Sequence, residues 1–350
     1  MRSETSPIRR FAFIVGAPRC GTTFLARHLE KHSGICFSNV KEPHFFSGTD
    51  LRGVPETEFK RTVERDYLDR FFPHRSRSPF LAEGSVTYLY TPEQVKPLLR
   101  LWPDAKFIIA VRNPLEMVPS LHRRLLCIGD ETVADFERAW RLVEQRRQGR
   151  FIPRRCVEPR WLDYWESGKL GHYVTKFIET VGRERCFISL YDDLESDPGG
   201  QYRRILEFLD LPHDGQSEFG LERQSKAFKI GWLQRLLKRP PRAAIALLGT
   251  DAHRLRFSKK PVSSDRPFSR RILSFRKRLL AWNEAPAPEY RPSAALRSEM
   301  LDMFGADIRL LGQTIGRDLD HWLKPPHAGK RQAAASRKPR RRGTAIAATG

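Results

Sequence analysis

Four kinds of side chain in this sequence, at particular spacings, have the means to handle an anion and move a proton. Phe11 to Leu25 reads as a strand, a turn bounded by Gly16 and Gly21, and the start of a helix near Thr22. Such a turn points successive N–H groups inward, and the helix adds its positive dipole end, so an anion is held with few side chains. Arg19, inside the turn, brings a full charge. Against the triphosphate loop G-x-x-x-x-G-K-[ST], Gly16, Gly21 and Thr23 are kept and Thr22 stands where the lysine belongs. The loop therefore suits one phosphate carrying a transferable group, and a P-loop nucleotide kinase becomes the alternative reading.

Arg112 ends a hydrophobic strand and is followed by Asn-Pro. Its guanidinium falls at the carboxyl edge of a sheet, where open α/β folds bind ligands, and can clamp a phosphate with two hydrogen bonds. Glu42 follows a second strand, with Lys41 before it and Pro43 after it, and can accept a proton from an incoming hydroxyl or amine. His44 offers the same chemistry two residues on, since histidine ordinarily titrates near neutrality.

These groups need a scaffold. Short β-branched or aromatic runs at Phe11–Val15, Ile35–Phe37, Phe80–Glu83, Lys106–Val111 and Cys186–Leu190 predict strands. They alternate with helical patterns at Thr22–Lys31, Pro92–Leu101, Pro114–Arg124, Leu170–Val181 and Pro198–Leu209. That rhythm predicts an α/β fold, a P-loop-like parallel sheet flanked by helices. A last helix over Leu296–Ile315, closing at Gly316, is expected to pack back onto it.

Between residues 232 and 292 the composition turns basic and proline-rich, which predicts a basic helical insertion or lid. Within it Phe268, Ile272, Phe275, Leu279 and Trp282 recur at helical spacing, so they are expected to dock on the core with Arg270, Arg271, Arg276, Lys277 and Arg278 in solvent. A sharper reading gives that helix, or the tail, peripheral contact with an anionic acceptor or surface. Residues 325–350 lack apolar periodicity and are expected to be a disordered basic tail, leaving 1–324 as one domain.

Gly-Ala-Pro-Arg-Cys-Gly-Thr-Thr, residues 16–23, resembles the 5'-phosphosulfate loop of sulfotransferases that use 3'-phosphoadenosine-5'-phosphosulfate (PAPS), in the carbohydrate, heparan-type and bacterial branch. Lys41–Phe46 resembles the segment carrying the catalytic carboxylate of heparan-type members, and Glu83–Leu89 their third-strand segment. Val111–Ser120 resembles the 3'-phosphate motif; Gly171–Tyr173, Tyr191–Leu194 with Asp197-Pro198, and Gly316–Trp322 follow in the family's order. The resemblance implies transfer of a sulfuryl group from PAPS to a hydroxyl or amine, on a saccharide or glycolipid among other acceptors, with release of adenosine 3',5'-bisphosphate. It makes Glu42 the general base, with His44 the alternative. It assigns the 5'-phosphosulfate to Arg19, Cys20, Gly21, Thr22 and Thr23, and the 3'-phosphate to Arg112 and Ser120. Tyr173 becomes an adenine-side contact, and no metal is implied. Two departures stand out: Arg19 where many relatives have lysine, and Gly84-Ser85 where heparan-type relatives often carry a lysine.

The net charge of +22 invites a third reading, a basic nucleic-acid-binding protein. The charge is local, however: residues 235–291 hold fifteen basic and four acidic residues, and residues 324–350 hold eight basic and none acidic. The remainder is only slightly basic, so the chemistry is expected in the core. Five scattered cysteines without a C-x-x-C pair predict neither a disulfide framework nor a zinc site. With no signal-peptide pattern before the first apolar run, the expectation is a cytoplasmic protein.

Overall fold

The computed structural model describes residues 10–220, 226–239, 267–286, 290 and 292–324. Five parallel strands form the sheet: β1 (Arg10–Gly16), β2 (Cys36–Phe37), β3 (Phe80–Gly84), β4 (Lys106–Val111) and β5 (Cys186–Leu190). Their order is β2-β3-β1-β4-β5, so β1 lies in the middle and the chain crosses it between β3 and β4. Strands Phe80–Gly84 and Lys106–Val111 are buried almost throughout, as expected of a parallel sheet covered on both faces. The predicted α/β architecture is the one observed.

Helices cover the sheet where the periodicity puts them. Thr22–Lys31 and Leu170–Val181 match their predicted bounds, and Pro114–Ile128 runs one turn further than predicted. Pro114 sits in its first turn, where no backbone N–H is needed, and Asn113 caps it by accepting from the Leu115 N–H at 3.0 Å. The last long helix, Ala294–Ile315, stops at Gly316, whose φ of 67° is the left-handed closure glycine tolerates. It lies close against Leu170–Val181: a Cβ on Gly171 would stand 2.1 Å from the Asp307 carbonyl oxygen. The predicted helix over Pro92–Leu101 divides into an α-helical turn, Pro92–Val95, and a 3₁₀ stretch, Lys96–Arg100. Pro97 lies inside that stretch and has no N–H for an i−4 carbonyl.

The basic segment needs a correction. Its described parts include two helices, Gly231–Lys238 and Pro267–Asn283, anchored by polar groups, and a short strand, Glu284–Pro286, paired with Lys226–Phe228. Arg239 and Asp130 form a buried ion pair at 2.7 Å; Gln234 donates to the Cys127 carbonyl at 2.6 Å; Arg276 donates to the Leu237 carbonyl at 2.8 Å. Asn283 is fully buried and joins the helices by donating to the Ile230 carbonyl at 3.1 Å. The expected apolar stripe instead faces solvent at Phe275 (63% exposed) and Trp282 (56% exposed), while Arg276 is inside. The periodicity is real, but side chains able to satisfy buried carbonyls outcompeted it for the interface. The rest of the insertion, 240–266, 287–289 and 291, and the tail, 325–350, lie outside the described residues.

Candidate active site

All five strands deliver a piece of one site at their carboxyl ends, beside the position where the strand order reverses. After β1 the chain turns through Gly16 (φ 139°), Arg19 (φ 66°) and Gly21 (φ 93°) into the first helix. A Cβ on Gly21 would stand 2.5 Å from Leu194 Cδ2, so the turn closes only because glycine leaves that space. Gly21 offers no side-chain cap, and the Phe24 and Leu25 N–H groups already donate to its carbonyl. The first-turn N–H groups of Thr22 and Thr23 therefore have no intrahelical acceptor and serve the mouth of the loop. Cys20 contributes backbone only: burial pushes its thiol up to about 12.

Arg19 leaves the loop and reaches Ser120, a buried residue of the Pro114–Ile128 helix, with Nε donating to Oγ at 3.1 Å. Burial first, and then the charges of Arg124, Arg112 and Arg123, push the Arg19 pKa down to about 10. The charges of Arg112, Arg123 and Arg124 thus bear on the buried Arg19, and a bound polyanion relieves that repulsion. Arg112 stacks on the Tyr191 ring at 4.2 Å and donates to Glu116 at 2.7 Å. Burial works against its charge, but Glu116 more than offsets this and raises its pKa.

On the opposite side of the loop, Lys41 and Glu42 follow β2. Lys41 Nζ lies 3.0 Å from both Thr23 Oγ1 and Glu42 Oε1, so it ties the phosphate loop to the carboxylate. Glu42 Oε2 is 3.5 Å from His44 Nε2. Burial would raise the Glu42 pKa, but the hydrogen bond from His44 and the charge of Lys41 win and hold it well below the usual carboxylate range. His44 is buried with φ 54°; its ring Nδ1 meets Thr87 Oγ1 at 2.8 Å and its N–H donates to Ser85 Oγ at 2.8 Å.

Ser85 in turn donates to Glu83 Oε2 at 2.9 Å. Glu83 is fully buried, and burial, outweighing the hydrogen bonds from Tyr88, Ser85 and Tyr67, pushes its pKa up to about 7 from an ordinary 4.5. Between those values the folded protein holds a proton that the unfolded chain has released. The resulting stability is complete below pH 4.5 and lost as pH rises through 7, a fall on the order of 3 kcal/mol. Urea unfolding is expected to show this fall in the wild type and a flatter profile in Glu83→Gln. Parallel profiles between pH 5 and 8 would refute the assignment.

The structure thus brings Arg19, Thr22, Thr23, Arg112 and Ser120 to one side of the loop mouth and Glu42 with His44 to the other. The Tyr173 hydroxyl donates to Glu166 at 2.7 Å and its ring packs on Tyr90 at 4.6 Å. Sequence reasoning assigned no role to Lys41, although it adjoins Glu42, and none to Thr87 or Tyr191, which hold His44 and Arg112. Two distant motifs also meet here. Asp192 accepts from Trp322 Nε1 at 2.8 Å and Asp193 pairs with Arg317 at 3.0 Å, so the Gly316–Trp322 segment braces the Tyr191–Leu194 corner that seats the loop.

Residues 12–215 match the model of the Sulfotransferase family. Protein-tyrosine sulfotransferase A of Caenorhabditis elegans is 24% identical over 227 residues, 61% of this chain and 52% of that protein. Bifunctional heparan sulfate N-deacetylase/N-sulfotransferase 1 of the same organism is 25% identical over 208 residues, 57% of this chain and 22% of its own length. The chain spans about half, or less, of the length of these relatives. A crystal structure of a sulfotransferase from Alicyclobacillus acidocaldarius shares the fold, with a TM-score of 0.58 and 23% identity over 90% of this chain and 99% of that one.

Proposed function

The chain belongs to the sulfotransferase family, and from that premise we propose that it transfers a sulfuryl group from PAPS to an acceptor hydroxyl or amine, releasing adenosine 3',5'-bisphosphate. One observation carries the reading: the 3.1 Å contact of Arg19, from the loop after β1, with Ser120, from the helix after β4. It joins two anion sites, the helix N-terminus at Thr22 and Thr23 and the arginine cluster around Arg112. A nucleotide phosphorylated at both its 5' and 3' positions fits that pair. An ordinary nucleotide leaves the second site unused, and a kinase would need the lysine that Thr22 replaces.

When bound, the donor supplies the sulfuryl group, and the protein's residues supply charge and a proton acceptor. An O–S or N–S bond forms as the bond from sulfur to the bridging oxygen breaks, and Glu42 takes the acceptor's proton. Arg19 and the Thr22 and Thr23 N–H groups offset the charge left on the departing 5'-phosphate. Lys41 stands 3.0 Å from Thr23 Oγ1 and supplies the transferable proton that an arginine retains. That compensates for both departures, arginine at 19 and glycine at 84. The acceptor, a saccharide or glycolipid in the preferred version of this reading, approaches Glu42 at the sheet edge. Among the described residues no helix is long and apolar enough to cross a membrane.

The test is thermal. At one hundred times its Kd, adenosine 3',5'-bisphosphate stabilises the fold by about 2.7 kcal/mol, a rise in Tm of roughly 5 °C. AMP and ATP at the same concentration are expected to give much smaller shifts. Equal shifts from all three would overturn the reading.

A further inference from the structure

Of the six large hydrophobic side chains exposed among the described residues, four lie on the two helices of the basic segment. Trp232 (69% exposed) and Leu236 (37%) are one helical turn apart on Gly231–Lys238; Phe275 and Trp282 are two turns apart on Pro267–Asn283. Neither helix contains an aspartate or glutamate, and Arg235, Lys277 and Arg278 are exposed among the apolar residues. Lys229 adds its ammonium over the Trp282 ring at 5.3 Å. The pair is joined by hydrogen bonds from Asn283 and Arg276, and it rests on the Pro114–Ile128 helix through Gln234. That helix carries Ser120, Arg123 and Arg124 of the site.

We infer that this helix pair is a docking surface for an anionic lipid bilayer, and that it brings the mouth of the phosphate loop to an acceptor carried in that bilayer. Tryptophan and phenylalanine rings beside arginine and lysine match the chemistry of the headgroup boundary, where apolar rings insert and cations meet lipid phosphates. A second copy of this chain is a poor occupant, since it would bring Arg235, Lys277 and Arg278 against the same charges. The pair also lies outside residues 12–215 matched by the family model. The docking itself stands without the sulfuryl-transfer reading; only the nature of the acceptor rests on it.

The experiment uses the full chain and vesicles of phosphatidylglycerol and phosphatidylcholine, with pure phosphatidylcholine as the comparison. Part of the lipid carries bromine on its acyl chains, which quenches indoles that enter the bilayer. Binding to the anionic vesicles with quenching of tryptophan emission is expected, and a Trp232→Ser/Trp282→Ser variant is expected to lose the quenching and at least tenfold in partition. Trp102, Trp140 and Trp322 are buried and report no insertion. Binding without quenching would mean that the basic tail alone holds the vesicles, and quenching unchanged in the variant would mean that other indoles, such as the half-buried Trp161 and Trp165, enter the bilayer; either result would overturn the proposal. So would a dimer that the same substitutions dissociate, or quenching by a single-stranded oligonucleotide in place of vesicles. The Tm shift with adenosine 3',5'-bisphosphate, measured on the same variant, is expected to be unchanged; its absence from the wild type as well would count against the donor reading and not against docking.

Discussion

Glu42→Gln is expected to lower turnover by about 10²–10⁴-fold, the usual contribution of a positioned base, while leaving the Tm shift from adenosine 3',5'-bisphosphate intact. The amide keeps the shape of the carboxylate but cannot take a proton from the acceptor. Its contacts with Lys41 and His44 explain why both halves of the result are expected: they orient the carboxylate without taking part in the grip on the 3'-phosphate. The depressed pKa of Glu42 adds a pH signature. A group held below the usual carboxylate range stays ionised as pH falls, so the turnover of the wild type is expected to persist well into acid. Turnover that falls across the range where histidine bases ordinarily titrate, about pH 5–8, or that survives in Glu42→Gln, would move the base to His44.

Arg19→Gly is the second large effect, with turnover expected to fall about 10²–10³-fold, the cost of losing one charge-stabilising donor, and with the bisphosphate shift sharply reduced. Glycine, not alanine, is the informative truncation. Arg19 has φ of 66°, which alanine adopts at a cost and glycine does not. Removing one of four clustered arginines also relieves repulsion, so the ligand-free Tm is expected to hold or rise. A variant that melts normally and still gives the wild-type shift would separate Arg19 from the donor site. Loss of fold is the outcome the glycine is chosen to avoid, and Arg19→Lys, which keeps charge without the planar fork, is the companion.

The strands and most helices were legible because their signals are local. A buried parallel strand needs an unbroken apolar run, and a covering helix needs a stripe at helical spacing with a stop such as Gly316. The phosphate loop was legible for the same reason: Gly16 and Gly21 announce a turn, and a turn before a helix announces an anion site. Lys41 was passed over because a lysine beside a carboxylate is ordinarily a solvated surface pair; only β2 standing within reach of the loop turns it toward Thr23. The stripe over Phe275 and Trp282 misled for the converse reason. Periodicity reports that one face is apolar but not what covers it, and burial of Arg276 and Asn283 answered a demand from carbonyl groups on another helix.

The sequence by itself determined the sheet, its helical covering, the anion-binding turn, and the identity of the charged groups available to it, since each is encoded within a dozen or so residues. Only the tertiary structure decided which of those groups meet. Arg19 reaches Ser120 across 101 positions, His44 rests on Thr87 across 43, and Trp322 closes on Asp192 across 130. Such pairings follow from strand order and crossover, which bring distant carboxyl ends to one edge. No local propensity specifies them; the buried sheet does, by carrying the carboxyl ends of distant strands to one edge.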